Sequence, residues 1–404
     1  MGFSREQGIM PFGFQNILLL LAAGQGFFLA LLILHKYGRI FANRFLSLLM
    51  FLYSLILLNL LLTDLGFPDE YPRALLLPLG FTFLIAPLHY LYARYLLHYG
   101  RRFRWGDAGH FLPFGLYLIL ILPVLFQSEG SSPDFPRAID SQPMPVDSVL
   151  FNWFLVLQGL IYMGLVLNML RHYALSLRSL FSSIEDIKLE WLRNITLMTT
   201  GCWLIFAMEN TLMMAGINLS NFDLSSVLVA VAVYAMGYLG FFNSEILVQP
   251  GAADSIRQAT DFGEIREAGG PPTLKHGGKY EKSGLSPEKA EAYVASLRNI
   301  VEEEQLYTDS TLTLNQLAER LDISPHNLSE IINTRLGQNF FDFVNAYRLE
   351  AVKRDLADPQ KAHFTILALA LDAGFNSKTA FNGIFKKHTG MTPSDFRRRG
   401  LSVG

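Results

Sequence analysis

TLTLNQLAERLDISPHNLSEIINTR, Thr311 to Arg335, carries two helical patterns separated by a short break. Leu312, Leu314, Leu317, Ala318 and Leu321 recur at helical spacing, and Asp322-Ile323-Ser324-Pro325 breaks the pattern before a second helix begins. Ser324 suits an N-cap and Pro325 the first helical position. In the second helix Leu328, Ile331 and Ile332 fall at i, i+3 and i+4 and must face a core. That leaves His326, Asn327, Glu330 and Asn333 outward, side chains able to hydrogen-bond base edges.

The arrangement then repeats. Ile366, Leu369 and Ala370 begin a short helix, Gly374 sits where a left-handed turn residue belongs, and Ser377 can cap a helix that buries Phe381, Ile384 and Phe385. Its outer face offers Thr379, Asn382, Lys386 and Lys387. Between the two units Phe341 to Leu356 predicts a rod long enough to hold two such helices one DNA turn apart, roughly 34 Å. Phe375, Phe381, Phe385 and Phe396 read as core, and Arg348 as a buried or half-buried structural ion-pair partner rather than a DNA contact. The Arg397-Arg398-Arg399 run admits two readings, a phosphate contact or a merely solubilising basic end.

The stretch GFNSKTAFNGIFKKHTGMTPSDFRR, Gly374 to Arg398, closely resembles the signature of the AraC/XylS-type transcription regulators. The resemblance covers roughly the final quarter of the chain, and it includes Leu314-Asn315-Gln316-Leu317-Ala318 and Tyr347-Arg348-Leu349. It implies a bihelical domain that binds double-stranded DNA. It also implies that Pro325 to Thr334 does most of the base reading, with Lys378, Lys386 and Lys387 nearer phosphates. Gly383 occupies an outward position of the second unit where a side chain would be useful for reading bases.

Charge alone does not announce nucleic acid. The chain carries a formal net charge of -2, and Ser310 to Gly400 holds twelve Lys and Arg against nine Asp and Glu. Modest nonspecific affinity is expected, so specific binding calls for a homodimer.

The front of the chain has the opposite character. Hydrophobic residues make up 51% of the sequence and charged residues 17%, an imbalance concentrated before Gln249. Seven apolar stretches are near the ~20 residues that cross a lipid bilayer as helix: Asn16 to His35, Phe41 to Thr63, Ala74 to Leu97, Ala108 to Gln127, Val149 to Leu170, Trp191 to Ala215 and Leu224 to Asn243. The expected fold class is therefore all-α: a seven-helix membrane bundle over 1-248, a flexible cytoplasmic linker over 249-283, and the tandem helix-turn-helix domain over 284-404. Gly269-Gly270-Pro271-Pro272 and Gly277-Gly278 punctuate the linker. After it, Ser286-Pro287-Glu288-Lys289 opens an amphipathic helix with Ala292, Leu297, Ile300 and Val301 to one side, expected to pack on the first helix-turn-helix unit, the alternative being pairing with its copy in a dimer.

Loop charge sets orientation. Lys36, Arg39 and Arg44 flank the first connection, Arg94, Arg101, Arg102 and Arg104 the third, and Arg171, Arg178, Lys188 and Arg193 the fifth. The second has Arg73 among acids, the fourth Arg137 among acids, and the sixth no basic residue. The positive-inside rule then puts the N-terminus outside and, after seven crossings, the C-terminal domain in the cytoplasm of a bacterial inner membrane. Arg5 is a thin basic leader and the first apolar run is long, so it reads as a retained span rather than a signal peptide.

Polar residues within the apolar stretches mark candidate sensing positions: Glu209, Asn210 and His89, for a small-molecule or proton signal. Glu209 equally suits a purely structural hydrogen bond to a neighbouring helix, and Arg94 and His98 should snorkel to the cytoplasmic surface. No HExxH, GxSxG or phosphate-cradling Gly-rich loop occurs, so no enzyme is expected, and the single Cys202 and absent ligand clusters imply no metal or cofactor. Together these readings describe a membrane-integral one-component regulator. Two other readings are a membrane-anchored regulator released by linker proteolysis, and a transporter or enzyme with a DNA-binding appendage.

Overall fold

A computed structural model describes residues 13–65, 67, 76–98, 103–126, 146–185, 189–217, 224–242 and 286–401. Residues 249–283, read above as a linker, and 128–145 of the fourth connection lie outside that set. The chain forms two compact units, Met1–Leu170 with Leu189–Arg257, and Arg171–Lys188 with Gln258–Gly404. Among the described residues the regular elements are helices, joined by one isolated antiparallel bridge between Phe181 and Thr313.

The first unit contains α1 (Phe14–Tyr37), α2 (Phe41–Asp64), α3 (Leu76–Gly80), α4 (Thr82–Leu97), α5 (Trp105–Ala108), α6 (Leu112–Leu125), the start of α7 (Val146–Leu180), α8 (Glu190–Met214) and α9 (Leu224–Phe242). Five helical stretches are long and apolar enough to cross a membrane: Phe14–Tyr37, Phe41–Asp64, Leu76–Leu97, Trp105–Leu125 and Val149–Leu180. The helix Glu190–Met214 is not among them, and the apolar part of α9, Leu224–Met236, is shorter. In this unit α1 lies along α2 and α9, and α2 packs on α4. A Cβ at Gly26 of α1 would come within 2.2 Å of Ser54 Oγ on α2, so only glycine permits this approach. One turn further on, Ser47 Oγ donates to the Ala30 carbonyl oxygen at 2.7 Å.

Polarity in this unit runs from inside to outside. Asn16, Asn43, Ser47, Ser54, His89 and Thr196 are buried, whereas Leu31 is 70% exposed and Leu120 73% exposed. Leu21, Phe28, Leu116, Ile119, Leu150 and Leu157 share that exposure. Gln158, turned inward, donates through Nε2 to the Phe83 carbonyl oxygen at 3.1 Å. Arg94 pairs with the buried Asp107 at 2.9 Å, and Tyr95 Oη donates to the same carboxylate at 2.6 Å. A nearby buried carboxylate offers the guanidinium a stronger partner than solvent does.

The second unit holds the end of α7, then α10 (Pro287–Glu303), α11 (Leu314–Arg320), α12 (Pro325–Arg335), α13 (Phe340–Ala357), α14 (Ile366–Asp372), α15 (Lys378–Thr389) and α16 (Pro393–Leu401). Ser286 caps α10, whose buried stripe is Ala290, Val294, Leu297 and Val301. Ala292, expected on that stripe, is exposed, because the face is set by positions four and three apart beginning at Ala290. The helix packs on α12 and on the 3-10 turn Leu306–Thr308, as expected.

Each helix start is fixed by a side chain. The Thr313 hydroxyl accepts from Gln316 N at 3.3 Å while Gln316 Oε1 accepts from Thr313 N at 2.8 Å, a reciprocal capping box that starts α11. Ser324 Oγ accepts from Asn327 N at 3.2 Å, Thr365 Oγ1 from Ala368 N at 3.0 Å and Ser377 Oγ from Ala380 N at 3.1 Å. Such caps contribute about 1 kcal/mol each. Leu349, Val352, Leu356, Leu369, Ala370, Ala373, Phe375, Phe381 and Phe385 form one core, with Phe396 packed against it, so α13 is the shared spine of the second helix-turn-helix.

The centre of this unit is Arg348 on α13, whose side chain is fully buried. Its Nε donates to the Tyr307 carbonyl oxygen at 2.7 Å, Nη2 to the Asp309 carbonyl oxygen at 2.8 Å, and Nη1 to the Ser182 carbonyl oxygen at 2.8 Å. Burial pulls the guanidinium down from its ordinary range to about 10, while Asp309 and Glu185 push it back up, so it remains charged at neutral pH. Gly374, with φ +96°, approaches the same turn: a Cβ there would lie 2.3 Å from the Tyr307 carbonyl oxygen. Gly374→Val therefore combines a left-handed strain of about 1–2 kcal/mol with a backbone clash. A fall of at least ~2 kcal/mol in the stability of the second unit is expected, read by hydrogen exchange of α13 and α14 in the full chain. Unchanged exchange rates would contradict the turn.

Candidate nucleic-acid interface

The helix α12 is a short rod with one face committed to the core, where Leu328, Ile331 and Ile332 are buried. The turn before it is made by Asp322 at φ +52°, with Ile323 N donating to the Ala318 carbonyl oxygen at 3.1 Å. Aspartate is one of the few non-glycine residues that enter this region readily. The outer face of α12 then presents His326 exposed and Asn327, Glu330 and Asn333 half-exposed. Asn333 is partly occupied, since its Nδ2 donates to the Ser329 carbonyl oxygen at 2.6 Å, leaving its amide oxygen for an outside donor.

In the second half, α15 turns Phe381 and Phe385 inward and leaves Lys378, Thr379, Asn382, Lys386 and Lys387 exposed. Gly383 is exposed with open space around it. Gly390, at φ +73°, ends the helix. The outer face is thus cationic along its last turn, where Lys386, Lys387 and His388 gather, the composition that suits phosphate oxygens.

The terminal arginines divide. Arg397 donates to the Phe364 carbonyl oxygen at 2.8 Å and to that of Ala362, which ties α16 back to the loop before α14. Arg398 pairs with Asp395 at 2.7 Å. Neither reading of this run describes Arg397, which is held within the fold by those carbonyl oxygens.

The candidate sensing residues of the first unit occupy separate places. His89 Nε2 lies 3.0 Å from Thr196 Oγ1, joining α4 to α8, and its Nδ1 is buried without a hydrogen-bond partner. Glu209 Oε1 accepts from Ser225 N at 3.0 Å at the start of α9. Asn210 Oδ1 accepts from Asn152 Nδ2 at 2.7 Å, bridging α8 to α7. Among the described residues no cluster of three or more His, Cys, Asp or Glu is placed to hold a metal ion.

Sequence reasoning missed Phe181–Ile184. Ser182 and Ile184 are buried, and Ser182 makes hydrogen bonds to Leu312 as well as to Arg348. The available signal was length: α7 has 35 residues, about 52 Å of helix, against the ~20 residues a bilayer needs.

Residues 317–399 match the family described as "Helix-turn-helix domain". The melibiose operon regulatory protein of Escherichia coli is 29% identical over 109 residues, 27% of this chain and 34% of that protein. An uncharacterized HTH-type transcriptional regulator, YtdP of Bacillus subtilis, is 32% identical over 95 residues, 24% of this chain and 12% of the relative. The crystal structure of the C-terminal domain of the two-component response regulator yesN from Fusobacterium nucleatum is 32% identical, covering 26% of this chain and 98% of that one, with a TM-score of 0.24. The chain thus spans about a third or less of the curated relatives named here, and only through its C-terminal part. By that similarity, residues 317–399 are a helix-turn-helix domain of AraC type.

Proposed function

We propose that this chain is a membrane-integral, one-component transcription regulator. Its AraC-type domain reads double-stranded DNA, and its output is set by a signal received in the helical unit within the membrane. The observation that carries the membrane half is the inverted polarity of the first unit, with hydrogen-bonding side chains inside and large apolar ones outside. In water such a surface would drive aggregation, whereas in lipid it is solvated. Besides the five helices that meet the length and hydropathy requirement, α8 and α9 complete seven crossings in this reading. Their buried polar residues, Thr196, Thr199, Glu209 and Asn210 on α8, face protein rather than lipid.

Parity then supports the location. Seven crossings with basic odd-numbered connections put the helix-turn-helix domain in the bacterial cytoplasm, where its DNA lies. A topology reporter active only in the cytoplasm, fused after Gln249, is expected to be active. The same reporter within residues 66–75 is expected to be silent. Activity at both positions, or at neither, would contradict the orientation.

Within the DNA-binding unit, α12 supplies base contacts and the end of α15 supplies phosphate contacts. Replacing Asn327 or Glu330 by Ala is expected to change which sequences are preferred, by about 1–3 kcal/mol per lost base contact. Lys386→Ala is expected to weaken all sites alike and lower the salt slope by about 1. Binding selection from a random DNA pool, repeated at several salt concentrations, separates the two. Uniform loss from Asn327 and Lys386 alike would refute the division.

His89, Glu209 and Asn210 are the proposed sensing positions, each joining two helices through one hydrogen bond. In a sensing bundle, Glu209→Gln changes the output of a target promoter at least threefold under the inducing condition. In a passive anchor released by linker proteolysis, output is unchanged and a soluble C-terminal fragment appears on a blot.

A further inference from the structure

The segment between α7 and α8 belongs to the second unit, which also contains the helix-turn-helix domain. After Leu180 the chain leaves helix, and Phe181 makes an antiparallel bridge with Thr313, the residue that caps α11. Ser182 N donates to the Leu312 carbonyl oxygen at 3.2 Å, and Ser182 Oγ donates to the same oxygen at 2.7 Å. From the other side α13 closes on it. Asn345 Nδ2 donates to the Ser182 carbonyl oxygen at 3.1 Å, Arg348 Nη1 to that oxygen at 2.8 Å, and Arg348 Nη2 to Ser182 Oγ at 3.0 Å. Ser183 Oγ lies 3.4 Å from Nη1.

A guanidinium has five N–H donors and no way to shed its charge cheaply. Here Nε and one donor of Nη2 are satisfied by Tyr307 and Asp309, inside the DNA-binding domain itself. Short, well-directed acceptors for the remaining donors come from Ser182. Asn345 Oδ1, at 3.3 Å, is the other acceptor for Nη1 within the domain. Withdrawing the segment would leave a buried cation short of acceptors, a state that a domain escapes by admitting water and loosening the turn around it. That turn, Tyr307 to Thr313, leads directly into α11 and so sets where the first helix-turn-helix begins.

We propose that Phe181–Ile184 is a seated latch through which the membrane unit controls DNA reading: with the segment held by Arg348, Asn345 and Leu312, the first helix-turn-helix is competent, and unseating it lowers DNA affinity. The inference rests on the function proposed above and names its regulation. The latch uses the connection from α7, so a signal reaches the DNA-binding domain through a second covalent route besides residues 249–283. Its occupant is this chain's own segment, and the acceptors for Arg348 are neutral, which keeps the seat reversible in a way a buried ion pair would not be.

The test uses the full chain in lipid nanodiscs and a DNA site that the wild-type chain selects from a random pool. Paired residues across an antiparallel bridge have Cα atoms about 4.5–5.5 Å apart, within disulfide range. Phe181→Cys with Thr313→Cys, in a Cys202→Ser background, is therefore expected to crosslink nearly completely under mild oxidation without DNA. The oxidised protein is expected to bind the selected site at least as tightly as the same protein reduced. Ser182→Leu, which removes the hydroxyl and overfills the seat, is expected to weaken binding at least tenfold. Adding the crosslink to Ser182→Leu is expected to restore affinity to within threefold of the oxidised protein that keeps Ser182, and reduction to abolish the rescue. Wild-type affinity in Ser182→Leu, or loss that the crosslink does not restore, would overturn the latch. If the wild-type chain selects no DNA sequence, the proposed function fails instead. The seat is then judged by crosslinking alone, and a pair that does not crosslink refutes it.

Discussion

A buried guanidinium imposes the constraint on which the DNA-binding unit depends. Arg348 is fully enclosed, and a charge taken out of water costs several kcal/mol unless its donors are satisfied. The protein meets that demand with backbone carbonyls from Tyr307 and Asp309, in one turn, and from Ser182, far from them in sequence. One side chain therefore fixes the turn entering the first helix-turn-helix, the spine α13, and the segment that follows α7. Gly374 approaches the same Tyr307 carbonyl from the second helix-turn-helix, so both halves of the DNA-binding domain are referenced to one turn.

The first unit obeys a different solvent rule. Many of its large apolar side chains, Leu31, Phe28 and Leu120 among them, are exposed, while Asn16, Asn43, Ser47, Ser54 and His89 are enclosed, the opposite of what a water-soluble domain favours. Helix association then relies on close approach and internal hydrogen bonds. Gly26 against Ser54 and Ser47 against Ala30 illustrate the first pair of helices. Single hydrogen bonds such as His89 to Thr196 and Asn152 to Asn210 join helices without fixing them rigidly.

Much of the second unit was legible in the sequence because its signals are local. Ser324-Pro325, Ser377 and Gly374 each announce a cap or a turn through backbone chemistry that acts within four residues, and the apolar positions at three- and four-residue spacing give the buried faces. The stripe of α10 was misplaced at Ala292 because several alanines offered alternative registers, and packing against α12 selects Ala290 and Val294. The pairing of Arg94 with Asp107, thirteen residues on, leaves no local mark in the sequence. The burial of Arg348 was legible, but its acceptors were not: an ion pair is what its charge suggests. The acceptors are main-chain oxygens, and a carbonyl leaves no mark in the amino-acid sequence. The same reason hid Ser182, whose importance comes from where the fold brings its backbone.

The central claim is that one polypeptide both resides in the membrane and reads specific DNA. Genome-wide DNA occupancy of the full-length chain in its native host, recovered from the membrane fraction after crosslinking, tests it most directly. The account predicts discrete sites sharing one sequence motif, carried by protein that fractionates with the membrane. Occupancy found only with a soluble fragment, or a membrane-bound chain with no enriched site, would contradict it.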